Sequence, residues 1–194
     1  MDLLVKIKLF KSFCSSLYGC ELWSLSSDNV DSFCSAWRTA LRRLLFLPFN
    51  AHNFLLPFLT DSLPILFETC KRSVRFILAC LGSHSHLIQL VARHGVLFCK
   101  YRSIIGSNIL FCCKLFNWSL DDCVSGLLDL SFDYFSRFYV NNLSDSELSS
   151  IFTLVELISL REGYFSFENS NFSFSRTELY IDYFSTLKFL YGVI

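Results

Sequence analysis

The chain is predicted to be all-α, a helical bundle followed by further helices. Three observations predict this class. Only 7 Gly and 3 Pro interrupt 194 residues, so long elements are favoured over a hairpin-rich sheet. Apolar side chains recur at spacings of three and four rather than alternating. Hydrophobic residues make up 53% and charged residues 18%, a balance that supports a buried core and excludes a disordered tail. The 22 Phe and 8 Tyr stand against a single Met, and a mean hydropathy of +0.44 implies apolar surface left for a partner.

Taken in order, residues 3–18 place Leu9, Phe10, Phe13, Cys14 and Leu17 on one helical stripe, with Lys8 and Lys11 beside it. Gly19 is expected to end that helix. Residues 24–29 read as a polar loop in which Ser27 or Asp28 caps the next element. Residues 30–47 carry Val30, Phe33, Trp37, Leu41 and Leu44 at helical spacing until Pro48 stops them. A loop through Asn53 leads to a short helix ending near Leu59, and Ser62 with Pro64 opens another that runs to about Cys80. Leu81-Gly82-Ser83 is a break. Beyond it, helices are predicted at 85–99, 107–117, 120–140, 145–162 and 176–191, with a cap signal at Ser144-Asp145-Ser146-Glu147 and a loop or short strand-like insert at 163–175. This divides the chain into a basic helical region (1–80), connecting helices (81–117) and an acidic helical region (118–194), with a boundary expected near 81–85 or 117–119.

Formal charge is zero, but residues 1–114 carry +7 and residues 115–194 carry −7. The front half is suited to a polyanion and the rear half is not. Nine cysteines in apolar helical runs, with no Cys-x-x-Cys pair, read as reduced core residues of an intracellular protein (cytoplasm or nucleus) rather than zinc ligands. Lys6, Lys8 and Lys11 break up the first apolar residues, so no secretory signal is evident. The richest apolar run, from Leu44 to Leu59, is too interrupted by Pro48, Asn50, His52, Asn53 and Pro57 to span a bilayer. No membrane, cofactor or metal is expected.

Three cationic clusters lie on successive predicted helices: Lys8 and Lys11; Arg38, Arg42 and Arg43; Lys71, Arg72 and Arg75. Spacings of three and four put Lys8 with Lys11, Arg38 with Arg42, and Lys71 with Arg75 on shared faces. Such faces suit phosphate, because Lys and Arg neutralise its charge and Arg binds two oxygens at once. The same pattern also describes an ordinary solvated face. His52, in a Pro-bounded turn, is a phosphate contact or a local cap. Trp37, in step with Phe33 and Leu41, is expected in the core rather than stacked on a base. Catalytic constellations are absent. Asp121-Asp122 has no preceding strand and no third carboxylate, and is better placed as the first turn of a helix. By itself the chain is not expected to be an enzyme.

Tyr18-Gly19-Cys20-Glu21-Leu22-Trp23, then Trp37-Arg38-Thr39-Ala40-Leu41-Arg42-Arg43 ending in Leu47-Pro48, resembles the region just after the polymerase core of non-LTR (LINE-type, Jockey-like) retrotransposon reverse transcriptases. Leu55-Leu56-Pro57 and the run from Lys71 to Ile77 look like that family's post-thumb helix. Ser103-Ile104-Ile105-Gly106-Ser107-Asn108 is similar to its Ser-x-x-Gly-x-Asn turn, and Glu156 to Gly163 with Phe174 to Glu178 resembles its final segment. Cys20-Glu21 and Glu162 depart from the family pattern, and fingers, palm and endonuclease are missing. The resemblance implies a thumb and post-thumb fragment of an RNA-directed DNA polymerase. Such a fragment would grip an RNA–DNA hybrid or other nucleic acid through phosphate contacts, and the missing polymerase core is a possible partner. An interaction module docking on that core, and a degenerate reading frame without function, are the alternatives.

Overall fold

The computed structural model describes residues 3–14, 16–126, 128–151 and 153. Among them every regular element is helical. The order is α1 (Leu3–Cys14), a 3₁₀ turn (Cys20–Leu22), α2 (Asp28–Leu44), α3 (Leu55–Thr60), α4 (Ile65–Leu81), α5 (His86–His94), α6 (Ile104–Phe116), α7 (Leu120–Ser125) and α8 (Phe132–Asn141), with helix again from 145. Between α5 and α6 the chain continues through a π-helical turn (Gly95–Cys99) and a 3₁₀ turn (Lys100–Arg102). The all-α expectation holds. The elements predicted at 163–175 and 176–191, and the resemblance from Glu156 onward, lie outside the described residues.

Helix α2 shows why these residues fold locally. Ser27 precedes it in extended conformation, Asp28 and Asp31 fill its first turn, and Arg42 and Arg43 fill its last, matching charge to the helix dipole at both ends. Val30, Cys34, Trp37 and Leu41 recur every three or four residues and are buried. Beyond its end, Phe46 takes a positive φ of 55° and Pro48 prevents continuation.

Helix α4 is the centre of the molecule. It packs on the 3₁₀ turn at 20–22, on α2, α5, α6 and α7, and is buried on most of its circumference. Val74, Ile77, Val96, Ile109, Cys112, Phe116 and Phe135 gather around it, each contributing about 1.5–3 kcal/mol where a large side chain is fully buried. A second cluster joins Leu17, Cys20, Trp37, Leu41, Leu56 and Ile65 at the front. A third, with Phe58, Val140, Leu143, Leu148 and Ile151, ties α3 to α8 and the helix after it. The cluster around α4 runs from Leu25 to Phe135 and crosses both positions, 81–85 and 117–119, where the sequence predicts a boundary.

The aromatic surplus has a place. Phe116 makes edge contacts with Phe67 and Phe135 at centroid distances of 5.0 Å, a geometry aromatic quadrupoles favour. Trp118 lies 4.7 Å from Phe116 and donates its indole N–H to the Tyr134 hydroxyl at 2.6 Å.

Several boundaries differ from expectation. The predicted 120–140 helix is two helices, because Gly126 adopts φ 75° and ends α7. The first helix stops at Cys14, and Gly19, at φ 77°, instead opens the 3₁₀ turn. Where a capping box is predicted, one forms: the Ser144 hydroxyl accepts from Glu147 N at 3.3 Å while the Glu147 carboxylate accepts from Ser144 N at 2.8 Å. Asp121 and Asp122 occupy the first turn of α7 as expected, with Ser119 as its cap.

Candidate functional site

Contacts between Phe10 and Trp37 at 5.9 Å and between Lys6 and the Phe46 ring at 4.5 Å align α1 antiparallel to α2. The start of α1 therefore lies beside the end of α2; Lys8, midway along α1, and Arg43, in the last turn of α2, are both exposed. Arg38 reaches back one turn to donate to the Ser35 hydroxyl at 3.0 Å. Arg42 folds onto the following loop, donating to the Ala51 carbonyl at 3.0 Å and to the Asn53 side chain. His52 sits in that same loop, exposed and stacked on Phe54 at 5.2 Å.

The other end of α1 faces α3 and α4. Lys11 Nζ donates to the Asp61 carbonyl at 2.6 Å; burial lowers its pKa, partly offset by the Asp61 charge. Arg72 donates to Glu68 Oε1 at 3.0 Å and to the Ser16 carbonyl at 2.6 Å. Burial opposes its charge, but Glu68 outweighs that and raises its pKa. Lys11, Arg72, Trp37, Thr60, Asp61 and Glu68 line one cleft of about 220 Å³, into which two of the predicted clusters converge. Trp37, expected in the core, is 8% exposed, and its indole N–H has no acceptor among the described residues.

Lys71 and Arg75 go elsewhere. Lys71 is only 9% exposed, contrary to the surface position that spacing predicts, because α4 is surrounded by other helices and the stem of the side chain covers apolar surface. Arg75 donates to the Leu130 carbonyl at 3.1 Å, near the start of α8. The nine predicted residues thus occupy separate places: the α1/α2 pair, the cleft, and the α4 flank.

Two motifs far apart in sequence meet at one hydrogen-bonded node. Asn108 is 1% exposed; its Oδ1 accepts from Leu25 N at 3.0 Å and its Nδ2 donates to the Trp23 carbonyl at 2.7 Å and to Ser73 Oγ at 3.3 Å. Ser103 caps α6 by accepting from Gly106 N at 2.9 Å, and donates to the Gly95 carbonyl at 2.9 Å. A Cβ on Gly106 would overlap the carbonyl oxygens of Gly95 and Lys100. The Ser-x-x-Gly-x-Asn residues therefore join the Tyr18–Trp23 hinge to α4 and α6.

Residue spacing alone overlooks one cationic segment. Arg93, Lys100 and Arg102 are exposed, and among the described residues none of their side chains has a hydrogen-bond or ion-pair partner. The signal was available: no Asp or Glu occurs between Glu68 and Asp121, where seven Lys and Arg residues fall. Leu87, Leu90, Val91, Phe98 and Tyr101 are exposed on the same stretch.

All nine cysteines are free, and Cys20, Cys34, Cys70, Cys112 and Cys123 are buried. Burial pushes the Cys20 thiol up to about 11 and raises Cys34, Cys113 and Cys123 in the same sense. Among the described residues no group of three or more His, Cys, Asp or Glu is placed to hold a metal, and no single helix is long and apolar enough to cross a membrane; α5 through Arg102 together with α6 passes that test only as a pair bent by 76°. No protein-family profile, curated protein or solved structure matches the chain.

Proposed function

We propose that the chain is a helical, non-catalytic C-terminal portion of a non-LTR retrotransposon reverse transcriptase and contacts the nucleic-acid backbone through its basic half. The observation that carries the reading is the acid-free stretch between Glu68 and Asp121, in which Arg93, Lys100, Arg102 and Lys114 stand exposed. A surface with cations and no competing carboxylate concentrates phosphate and gains from counterion release. Lys8 on α1 and Arg43 on α2 add two further exposed cations. The meeting of the Tyr18–Trp23 hinge with Asn108 supports the family assignment, since two of the resembling motifs act as one structural unit.

Filter-binding titration against an RNA–DNA hybrid tests this. Affinity should fall with salt with a log–log slope of roughly −3 to −6, for about four to six phosphates neutralised. Changing Lys8 and Arg43, whose side chains have no partner among the described residues, to Ala should flatten the slope by about two. Binding that is absent or indifferent to salt counts against the proposal.

A second reading has its own observation. Leu87, Leu90 and Val91 are 68%, 56% and 58% exposed along one side of α5, a helical stripe of the kind that docks on another protein. A reverse-transcriptase polymerase core is the partner this reading names. Co-sedimentation of the chain with such a core, lost on changing Leu87 and Val91 to Ser, would favour it.

A further inference from the structure

The exposed stripe changes character along its length. Residues 87–91 are uncharged and, apart from Gln89, aliphatic, whereas residues 93–102 interleave aromatic rings with cations. Phe98 is 75% and Tyr101 79% exposed. His94 stacks on Phe98 at 5.5 Å with the planes 28° apart, so a two-ring face is already assembled. Among the described residues no ring covers Tyr101. Along the sequence Arg93, Lys100 and Arg102 stand between and beside these rings, and their side chains meet no acceptor among the described residues.

The backbone that presents these groups is firmly held. Gly95 is buried and its carbonyl accepts from Ser103 Oγ at 2.9 Å, while Gly106 admits the carbonyls of Gly95 and Lys100 at a distance no other residue allows. The π turn and the 3₁₀ turn both pack on α6. Lys100 keeps a φ of 43°, a conformation lysine seldom adopts, and this turns the chain between Phe98 and Tyr101. Rings fixed on an anchored turn lose little freedom when a ligand stacks on them.

We propose that residues 93–102 form a binding site for single-stranded nucleic acid, with Phe98, His94 and Tyr101 stacking on bases and Arg93, Lys100 and Arg102 contacting the intervening phosphates. Base stacking needs unpaired bases, since a duplex hides their faces, and it tolerates any sequence. A purely apolar partner would leave three cations unanswered on the site's border. This inference rests on the nucleic-acid reading above for the class of ligand and adds which form is bound, and where.

The test uses the full chain, fluorescein-labelled dT12, and a 20-base-pair RNA–DNA hybrid at the same salt. Changing Phe98 and Tyr101 together to Ala should weaken dT12 binding by at least about 30-fold, the lower end of what two stacking rings supply. Hybrid affinity should stay within about twofold, and Phe98→Tyr with Tyr101→Phe should restore dT12 binding. Changing Lys8 and Arg43 to Ala should do the reverse, weakening the hybrid more than dT12. Unchanged dT12 affinity in the Ala variant, or an equal loss on both probes, overturns the inference. So does a wild-type chain that ignores dT12 but binds phosphatidylserine vesicles through these rings. If dT12 binding shows the expected dependence while the hybrid is not bound, this site stands and the backbone-grip proposal falls.

Discussion

The cations of α1–α4 and those of residues 93–102 are the same chemical groups in different structural positions. At the front, Lys11, Arg42, Arg72 and Arg75 each end on a main-chain carbonyl, of Asp61, Ala51, Ser16 and Leu130 respectively. Asp61 and Ser16 lie just past the ends of α3 and α1, where carbonyls lack helical donors, so these long side chains act as caps between elements. In the middle segment the Arg93, Lys100 and Arg102 side chains meet no acceptor among the described residues. Spacing reveals which cations share a helix face; it does not reveal which of them the fold has already used.

That contrast can be broken or sharpened by measurement. The largest expected effect is at the joint between the two regions. Asn108→Leu leaves the buried Leu25 N–H and Trp23 carbonyl unsatisfied and should cost about 3 kcal/mol in urea unfolding. A negligible change would mean the front hinge and α6 are held independently. Gly106→Ala sets a methyl group against two backbone carbonyls that cannot swing aside, and should cost about 2 kcal/mol by the same assay.

The front cluster also predicts an alkaline limit. Cys20 is fully buried and its thiol is raised from 9.0 to about 11, so the folded state holds a proton that the unfolded chain releases earlier. Its contribution is complete below pH 9.0 and is lost as pH climbs through about 11, a change of about 3 kcal/mol. The difference between wild type and Cys20→Ala, followed by urea midpoint against pH, should show that loss. Tyr139 and Cys123 are raised too and contribute to both curves in the same direction.

The smallest effect separates the two kinds of cation directly. Arg42→Ala removes two hydrogen bonds that hold the 51–53 loop and should destabilise by about 1–2 kcal/mol. Arg93→Ala should stay within about 0.5 kcal/mol, because its side chain has no partner among the described residues. Equal losses would erase the distinction drawn above.

Much of the fold was legible because local rules acted without competition. The stripe from Val30 to Leu41, the capping box at Ser144 and Glu147, and the core position of Trp37 follow from side-chain period and terminal hydrogen bonding alone. The break at Gly126 was missed because apolar residues continue in step on both sides of it, so periodicity outweighed a single permissive residue. Burial of Lys71 was missed for a different reason: the number of helices around α4 is a tertiary fact with no local signature. The node at Asn108 shows the same limit, as its partners lie 83 and 85 residues away. The 93–102 segment was readable in the absence of acidic residues, a pattern of what is missing rather than of what recurs.

The separation of 83 residues between Leu25 and Asn108 also orders the birth of the molecule. During synthesis the amino-terminal hinge leaves the ribosome long before its clamp exists, and its exposed carbonyl and amide must wait in water while α2 to α5 emerge. Closing so long a loop slows the step, so the hydrogen bonds to Asn108 are made late, although the hinge is made early.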